Sequence, residues 1–241
     1  MDAVLLTHYA ATSKGKSPDK ILDLCTGNGI VPVLLTAKTT ASSIVGVEIQ
    51  PEVAALAKRN VELNGLHGRV TIFCEDLRNL VGRDALGTPK NNIIRPARRA
   101  EGVTPYNFTP NSFDIVTCNP PYKELGGGII NSTDMLTIAR HEVACTLADI
   151  IEVSAKLLRE GGRLCMVHRP ERLVDLLTLM RQNRLEPKRL RMVHPSPNKT
   201  ANLVLIEAAK YGKPKLFLDP PLYVYDGNGK YSKEIDEIYE R

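Results

Sequence analysis

An open α/β sheet with helices on both faces is the fold this sequence predicts. Three observations predict it: short β-type runs that are apolar on both faces, helix-period segments between most of them, and a glycine turn directly after the first run. The strands read, in order, as Ile21–Cys25, Ile44–Ile49, Val70–Phe73, Phe113–Cys118, Arg163–His168, Lys188–His194 and Asn202–Ala208. The first helix, Ile30–Lys38, follows the glycine turn, and the second, Pro51–Asn64, has proline at a first helical position and Asn64-Gly65 as its stop. His141–Arg159 carries Val143, Leu147, Ile150, Ile151, Ser154, Leu157 and Leu158 at helical spacing, with Gly161-Gly162 as its expected end. A last helix is expected over Glu171–Asn183. The expectation is one doubly wound domain with a seven-stranded mixed sheet, closing on an antiparallel pair from the last two strands.

Three segments break the alternation. Gly82–Asn111 is rich in Pro, Gly, Asn and Arg and reads as an irregular insertion, and Glu124–Ser132 reads as a glycine-rich loop. After Lys210 the chain turns polar, with a hairpin expected around Asp226-Gly227 and a short acidic helix behind it. The domain therefore spans residues 1–210, with 211–241 as a C-terminal hairpin and helix.

Composition narrows the classes. With 241 residues, 43% hydrophobic and 24% charged, the chain is neither disordered nor collagen-like. No apolar stretch is long enough for a bilayer, and no secretory leader is read at the start, so the expected location is the cytoplasm. Five widely spaced cysteines form no Cys-x-x-Cys pattern, which argues against zinc or disulfides and for small buried hydrophobes in a reducing compartment. A net charge of +5 permits a phosphate-rich partner without requiring one.

The first candidate site is Ile21-Leu-Asp-Leu-Cys-Thr-Gly-Asn-Gly29. Gly27 and Gly29 let bare backbone approach a ligand at the carboxyl edge of the sheet. Asp23 stands close to that turn, Glu48 ends the second strand about twenty residues on, and Glu75-Asp76 ends the third. Each carboxylate alone is as well explained by a solvated strand end; three in succession are not. A dinucleotide would want a third glycine where Pro32 stands, and no Lys-Ser or Lys-Thr follows for a triphosphate. S-adenosyl-L-methionine, which has no phosphate, fits the glycine turn and carboxylates better.

The second is Asn119-Pro120-Pro121-Tyr122, after the fourth strand. Its prolines stiffen the corner. The Asn119 amide oxygen and the Pro120 carbonyl can both accept from an adenine amino group. That turns the amine's delocalised lone pair out of the ring plane, while Tyr122 offers a stacking face. No general base is needed before methyl transfer, because the amine becomes acidic once alkylated.

Asp23-x-x-x-Gly27-x-Gly29, Glu48, Asp76 and Asn119-Pro-Pro-Tyr122 together resemble the motifs of class I S-adenosylmethionine-dependent methyltransferases of the amino-group type, with their Rossmann-like fold. With Asp2-Ala-Val-Leu-Leu6, Ala139-Arg-His-Glu142, His168-Arg-Pro-Glu-Arg172, Arg189–Pro195 and Asn202-Leu-Val-Leu, the chain resembles the bacterial family that methylates the 6-amino group of the adenine beside a valine tRNA's anticodon. The resemblance implies that Asp23, Gly27 and Gly29 line the methionine end of the cofactor, with Cys25 and Asn28 in the same turn. It implies that Glu48 holds the ribose with Ile49 beside it, that Asp76 and Leu77 meet the cofactor adenine, and that Asn119 to Tyr122 take the target base, Asn119 bordering the cofactor too. In the family a further stretch precedes the Asp2–Leu6 segment, which borders the cofactor pocket.

Between Lys156 and Lys199 eleven basic residues face four acidic ones. Arg181 and Arg184 suit a solvated helix face, but Arg169, Arg172 and Lys199 are expected on the edge that carries both sites, where an RNA backbone would pass. The expected partners are a tRNA and the methyl donor, with S-adenosylhomocysteine as product, no metal and a monomeric protein. A competing reading is methylation of a glutamine amide on a protein such as a release factor. A non-catalytic RNA-binding protein that keeps the fold is another, and a dehydrogenase is disfavoured by Pro32.

Overall fold

A computed structural model of the chain describes residues 1–13, 17–81, 108–121 and 145–240. Tyr122, the 124–132 loop, the Ala139–Glu142 motif and all but the last four residues of the 82–111 insertion lie outside them.

All seven expected strands are present: β1 (Lys20–Leu24), β2 (Ser43–Glu48), β3 (Val70–Cys74), β4 (Phe113–Cys118), β5 (Leu158–His168), β6 (Leu185–His194) and β7 (Leu203–Lys210). They lie in the order β3-β2-β1-β4-β5-β7-β6. β1 to β5 run parallel, and β7 enters antiparallel to both β5 and β6. Two strands that the sequence did not suggest, β8 (Phe217–Leu218) and β9 (Leu222–Tyr223), add to β6 in succession and bring the sheet to nine.

Both faces are covered, which is why the runs are apolar throughout. Leu22, Leu24, Val45, Val116 and Met166 point into one core, under α4 (Leu147–Leu157) and α5 (Leu173–Gln182). Ile21, Ile44, Ile115 and Val167 point into the other, under α1 (Asp2–Ala11), α2 (Ile30–Lys38) and α3 (Pro51–Leu63). The C-terminal α6 (Lys233–Ile238) buries Ile235 and Ile238 in this second core. Arg69 closes the α2 end, its guanidinium donating to the carbonyls of Thr36, Thr39 and Ala41 at 2.8, 2.6 and 2.6 Å. Phe108, at the end of the insertion, is buried edge-on between Phe73 and Phe113 and so anchors the entry to β4.

Three elements differ from expectation. α4 starts at a Thr146/Asp149 capping box and stops at Leu157, not at Gly161-Gly162. Leu158 pairs with Phe113, so the strand begins there. The glycines form a bulge inside β5, with Gly161 at φ +69° and no room for a Cβ at Gly162, 2.8 Å from the Arg159 carbonyl. α1, which has no side-chain cap at its start, was not among the expected helices. β6 begins at Leu185, reaching back through Pro187 by a second irregularity. No helix among the described residues is long and apolar enough to cross a membrane.

Candidate active site

The strand order reverses at β1, which pairs with β2 on one side and β4 on the other, opening a crevice at their carboxyl ends. A cavity of about 370 Å³ lies there. Its walls come from the turn after β1 (Cys25, Thr26, Gly27, Asn28), the end of β2 (Glu48, Ile49), the end of β3 (Glu75, Asp76, Leu77), the corner after β4 (Asn119, Pro120, Pro121) and Cys145. The structure thus brings most of the sequence-identified residues onto one surface.

The turn is built around Glu48. This buried carboxylate accepts the Gly27 N–H at 3.0 Å through one oxygen and the Gln50 N–H at 3.0 Å through the other. Gly27 sits at φ +57°, and an added Cβ would meet nothing within 4 Å, so its face is open. Gly29, at φ +82°, does not line the cavity. A Cβ there would stand 3.2 Å from the Ala57 Cβ, so this glycine lets the start of α2 pack on α3.

Asp23 is likewise behind the wall rather than in it. It is buried between the Thr26 and Thr117 hydroxyls, each donating to one of its oxygens at 2.6 Å. Burial raises its pKa to about 7, with Glu48 adding to the rise and the two threonine hydrogen bonds opposing it. The carboxylate expected at the methionine end therefore ties the glycine turn to β4 instead. Gly46 helps, since a Cβ there would lie 2.9 Å from the Thr26 hydroxyl.

At the end of β3, Asp76 caps the short helical turn Leu77–Asn79 and holds Arg78 through its backbone N–H at 2.9 Å and its guanidinium at 2.5 Å. Burial raises the Asp76 carboxyl, but the Arg78 bonds outweigh it and hold the group below the usual carboxylate range. Glu75 accepts the Asp76 N–H at 2.9 Å.

Asn119 is half-buried, Pro120 buried and Pro121 exposed. They follow directly on Cys118, whose strand partner is Leu24, so the corner and the glycine turn leave adjacent strands side by side.

Cys25 lines the cavity as the resemblance implied, and Cys145, which sequence reasoning treated only as buried core, joins it there. The Cys25 and Cys145 sulfurs are 4.0 Å apart. Hydrogen bonding to Cys118 together with burial pushes the Cys25 thiol up, and a hydrogen bond with Cys25 together with burial does the same for Cys145, so both stay neutral thiols. Cys25 also sits at φ +57°. Only Cys118 and Cys165 are fully buried. No group of three or more metal-ligating side chains occurs among the described residues.

The basic segment reads differently in three dimensions. Among the described residues, Lys156, Arg159, Arg163, Arg172, Arg181, Arg189 and Arg191 of this segment form ion pairs. Most of the partners, Asp114, Glu152, Glu207 and Glu234, come from outside the segment. Arg169 and Lys199 stand on the same carboxyl edge as the cavity, in loops after β5 and β6. Arg169 donates to the Asn202 carbonyl at 3.0 Å. Arg172 follows Arg169 but is held by Asp175 at 2.7 Å. None of the three lines the cavity, and neither does any residue of α1.

No protein-family model matches the chain. A tRNA1(Val) (adenine(37)-N6)-methyltransferase from Porphyromonas gingivalis is 26% identical over 243 residues, covering 99% of this chain and 86% of that protein. One from Parabacteroides distasonis is 26% identical over 220 residues, covering 89% and 78%. Among solved structures, a predicted O-methyltransferase from Agrobacterium tumefaciens superposes over 100% of this chain and 96% of its own, with a TM-score of 0.72 and 20% identity. Geranyl diphosphate C-methyltransferase from Streptomyces coelicolor, in complex with S-adenosyl-L-homocysteine, gives 0.55 at 14% identity over 86% and 76%. The chain has the class I methyltransferase fold, and along nearly its whole length it resembles the tRNA adenine-N6 enzymes.

Proposed function

We propose that this chain transfers a methyl group from S-adenosyl-L-methionine to the 6-amino group of an adenine in RNA, a tRNA near the anticodon. One observation carries the reading: the Asn119-Pro120-Pro121 corner and the Glu48–Gly27 turn are walls of one cavity, on adjacent strands. The similarity to tRNA1(Val) (adenine(37)-N6)-methyltransferases over 99% of the chain supports the same substrate class.

The residues present fit the donor. A cavity of about 370 Å³ suits a nucleoside-sized ligand. The Glu48 carboxylate, fixed by two backbone N–H groups, keeps lone pairs for ribose hydroxyls, and the open face of Gly27 admits the methionine end. Asp76, held ionised by Arg78, would accept from an adenine amino group, and Leu77 and Ile49 give apolar cover. When bound, S-adenosylmethionine supplies an electrophilic methyl group on sulfur and leaves as S-adenosylhomocysteine. The chain's own part is positioning. The Asn119 amide oxygen and Pro120 carbonyl would accept the two amino hydrogens of the target, leaving its lone pair toward the cavity. The proton lost after alkylation goes to solvent. Such a displacement asks for no Lewis acid, and the reading includes a metal-free monomer in the cytoplasm, with Arg169, Arg172 and Lys199 along the RNA path. Tyr122 would stack on the base.

The test is mass spectrometry of nucleosides from undermethylated tRNA, incubated with the purified protein and labelled S-adenosylmethionine. Label in 6-methyladenosine is the expected result. No label in any tRNA nucleoside, with label instead in a glutamine of added protein, would overturn it.

A further inference from the structure

At the end of the catalytic edge the chain builds a small, rigid aromatic surface that the reading above does not use. β9 pairs in parallel with the last residues of β6, Tyr223 opposite His194. The Tyr225 N–H then donates to the Pro195 carbonyl at 2.9 Å, and Tyr225 bridges Tyr231 to close the hairpin. Asp226 stiffens the turn by accepting the N–H groups of Asn228 at 2.8 Å and Lys230 at 2.9 Å. The Tyr225 and Tyr231 rings stack with centroids 5.0 Å apart and planes 21° from parallel. A cross-strand pair of this kind steadies a hairpin. Here the two residues also stay 37% and 39% exposed. Lys230 directly precedes Tyr231 in the hairpin, its N–H bonded to Asp226 at 2.9 Å, and the Lys199 carbonyl bonds the His194 ring at 2.8 Å at the end of β6, so two lysines belong to the loops around the pair.

The pair belongs to the edge that holds the cavity, because β6 and β9 run parallel to β4. Four interstrand steps separate β4 from β9, roughly 19 Å at about 4.8 Å each. One flipped base cannot occupy both places. An unpaired RNA loop offers successive bases whose faces stack on aromatic rings while their phosphates meet lysines. We propose that the Tyr225–Tyr231 pair is a stacking platform for a second unpaired base of the RNA substrate, with Lys199 and Lys230 meeting the adjoining phosphates. Stacking tolerates any base, so the platform adds affinity and register without choosing sequence. This inference rests on the RNA reading above.

The experiment measures binding of unfractionated bacterial tRNA by the full chain and by two double variants, Y225A/Y231A and Y225F/Y231F. The alanine variant should bind roughly 5- to 100-fold more weakly, and the phenylalanine variant within about twofold of the parent. Affinity for S-adenosylhomocysteine should hold in both. Because alanine could loosen the hairpin, ultraviolet crosslinking of tRNA to the unaltered protein, with peptide mapping, is the second measurement. Adducts on Tyr225 or Tyr231 are expected. Parental binding by the alanine variant, equal weakness of the phenylalanine variant, or adducts confined to other peptides would overturn the platform. If the unaltered protein methylates tRNA in those cases, only the platform falls; if it neither binds nor methylates tRNA, the RNA reading falls with it.

Discussion

The Thr117 hydroxyl donates to the Asp23 carboxylate across 2.6 Å, joining the strand that ends in the glycine turn to the strand that ends in Asn119. Both residues are buried and opposite each other in the β1–β4 register. The tie aligns the two halves of the site. Replacing Thr117 by valine keeps its shape and removes the donor, leaving a buried carboxylate one partner short. Thermal unfolding should show a loss of about 1–3 kcal/mol, with turnover reduced, and T117S should restore both. A T117V enzyme with parental stability and turnover would show that the tie is idle.

Asp23 also makes a pH prediction. Burial first, then Glu48, raise its pKa from 3.8 to about 7 in the folded chain. Between those values the folded state keeps a proton that the unfolded state has lost. This carboxyl's contribution to stability therefore falls as pH rises from about 4 to about 7, and levels off above. D23N cannot show that fall. Denaturant unfolding of both proteins across the window should show the variant gaining on the parent up to about pH 7. Parallel curves would contradict the assignment.

Glu48→Gln tests the ribose contact. The glutamine amide must turn its NH₂ toward one of two backbone N–H groups, so the turn loses an acceptor. Calorimetry should find S-adenosylhomocysteine bound about 10- to 100-fold more weakly, equivalent to roughly 1.4–2.8 kcal/mol. Unchanged affinity would remove Glu48 from the site.

Much of the fold could be read from local pattern because burial on both faces leaves a plain mark: Ile21 and Leu22 enter opposite cores from one short run. Gly161-Gly162 misled, since glycine serves a helix stop and a strand bulge equally, and only the pairing of Leu158 with Phe113 decides between them. Gly27 and Glu48 were legible as a turn and a carboxylate at the expected spacing. The work of Asp23 was not, because its second partner, Thr117, is 94 residues away. The same distance problem hid the neutralisation of Arg159 by Asp114 and of Arg191 by Glu234, so a run of positive charge along the chain overstated the charge on the surface. Cys145 gave no local signal, being placed beside Cys25 by the fold alone.

In the proposed reaction Asn119 positions the accepting amine and not the donor. Asn119→Ala, assayed by steady-state methylation of tRNA and by calorimetry with S-adenosylhomocysteine, addresses it directly. The variant should show kcat lower by about 100-fold or more with cofactor affinity within about threefold. Equal losses in turnover and cofactor affinity, or full turnover by the variant, would contradict it.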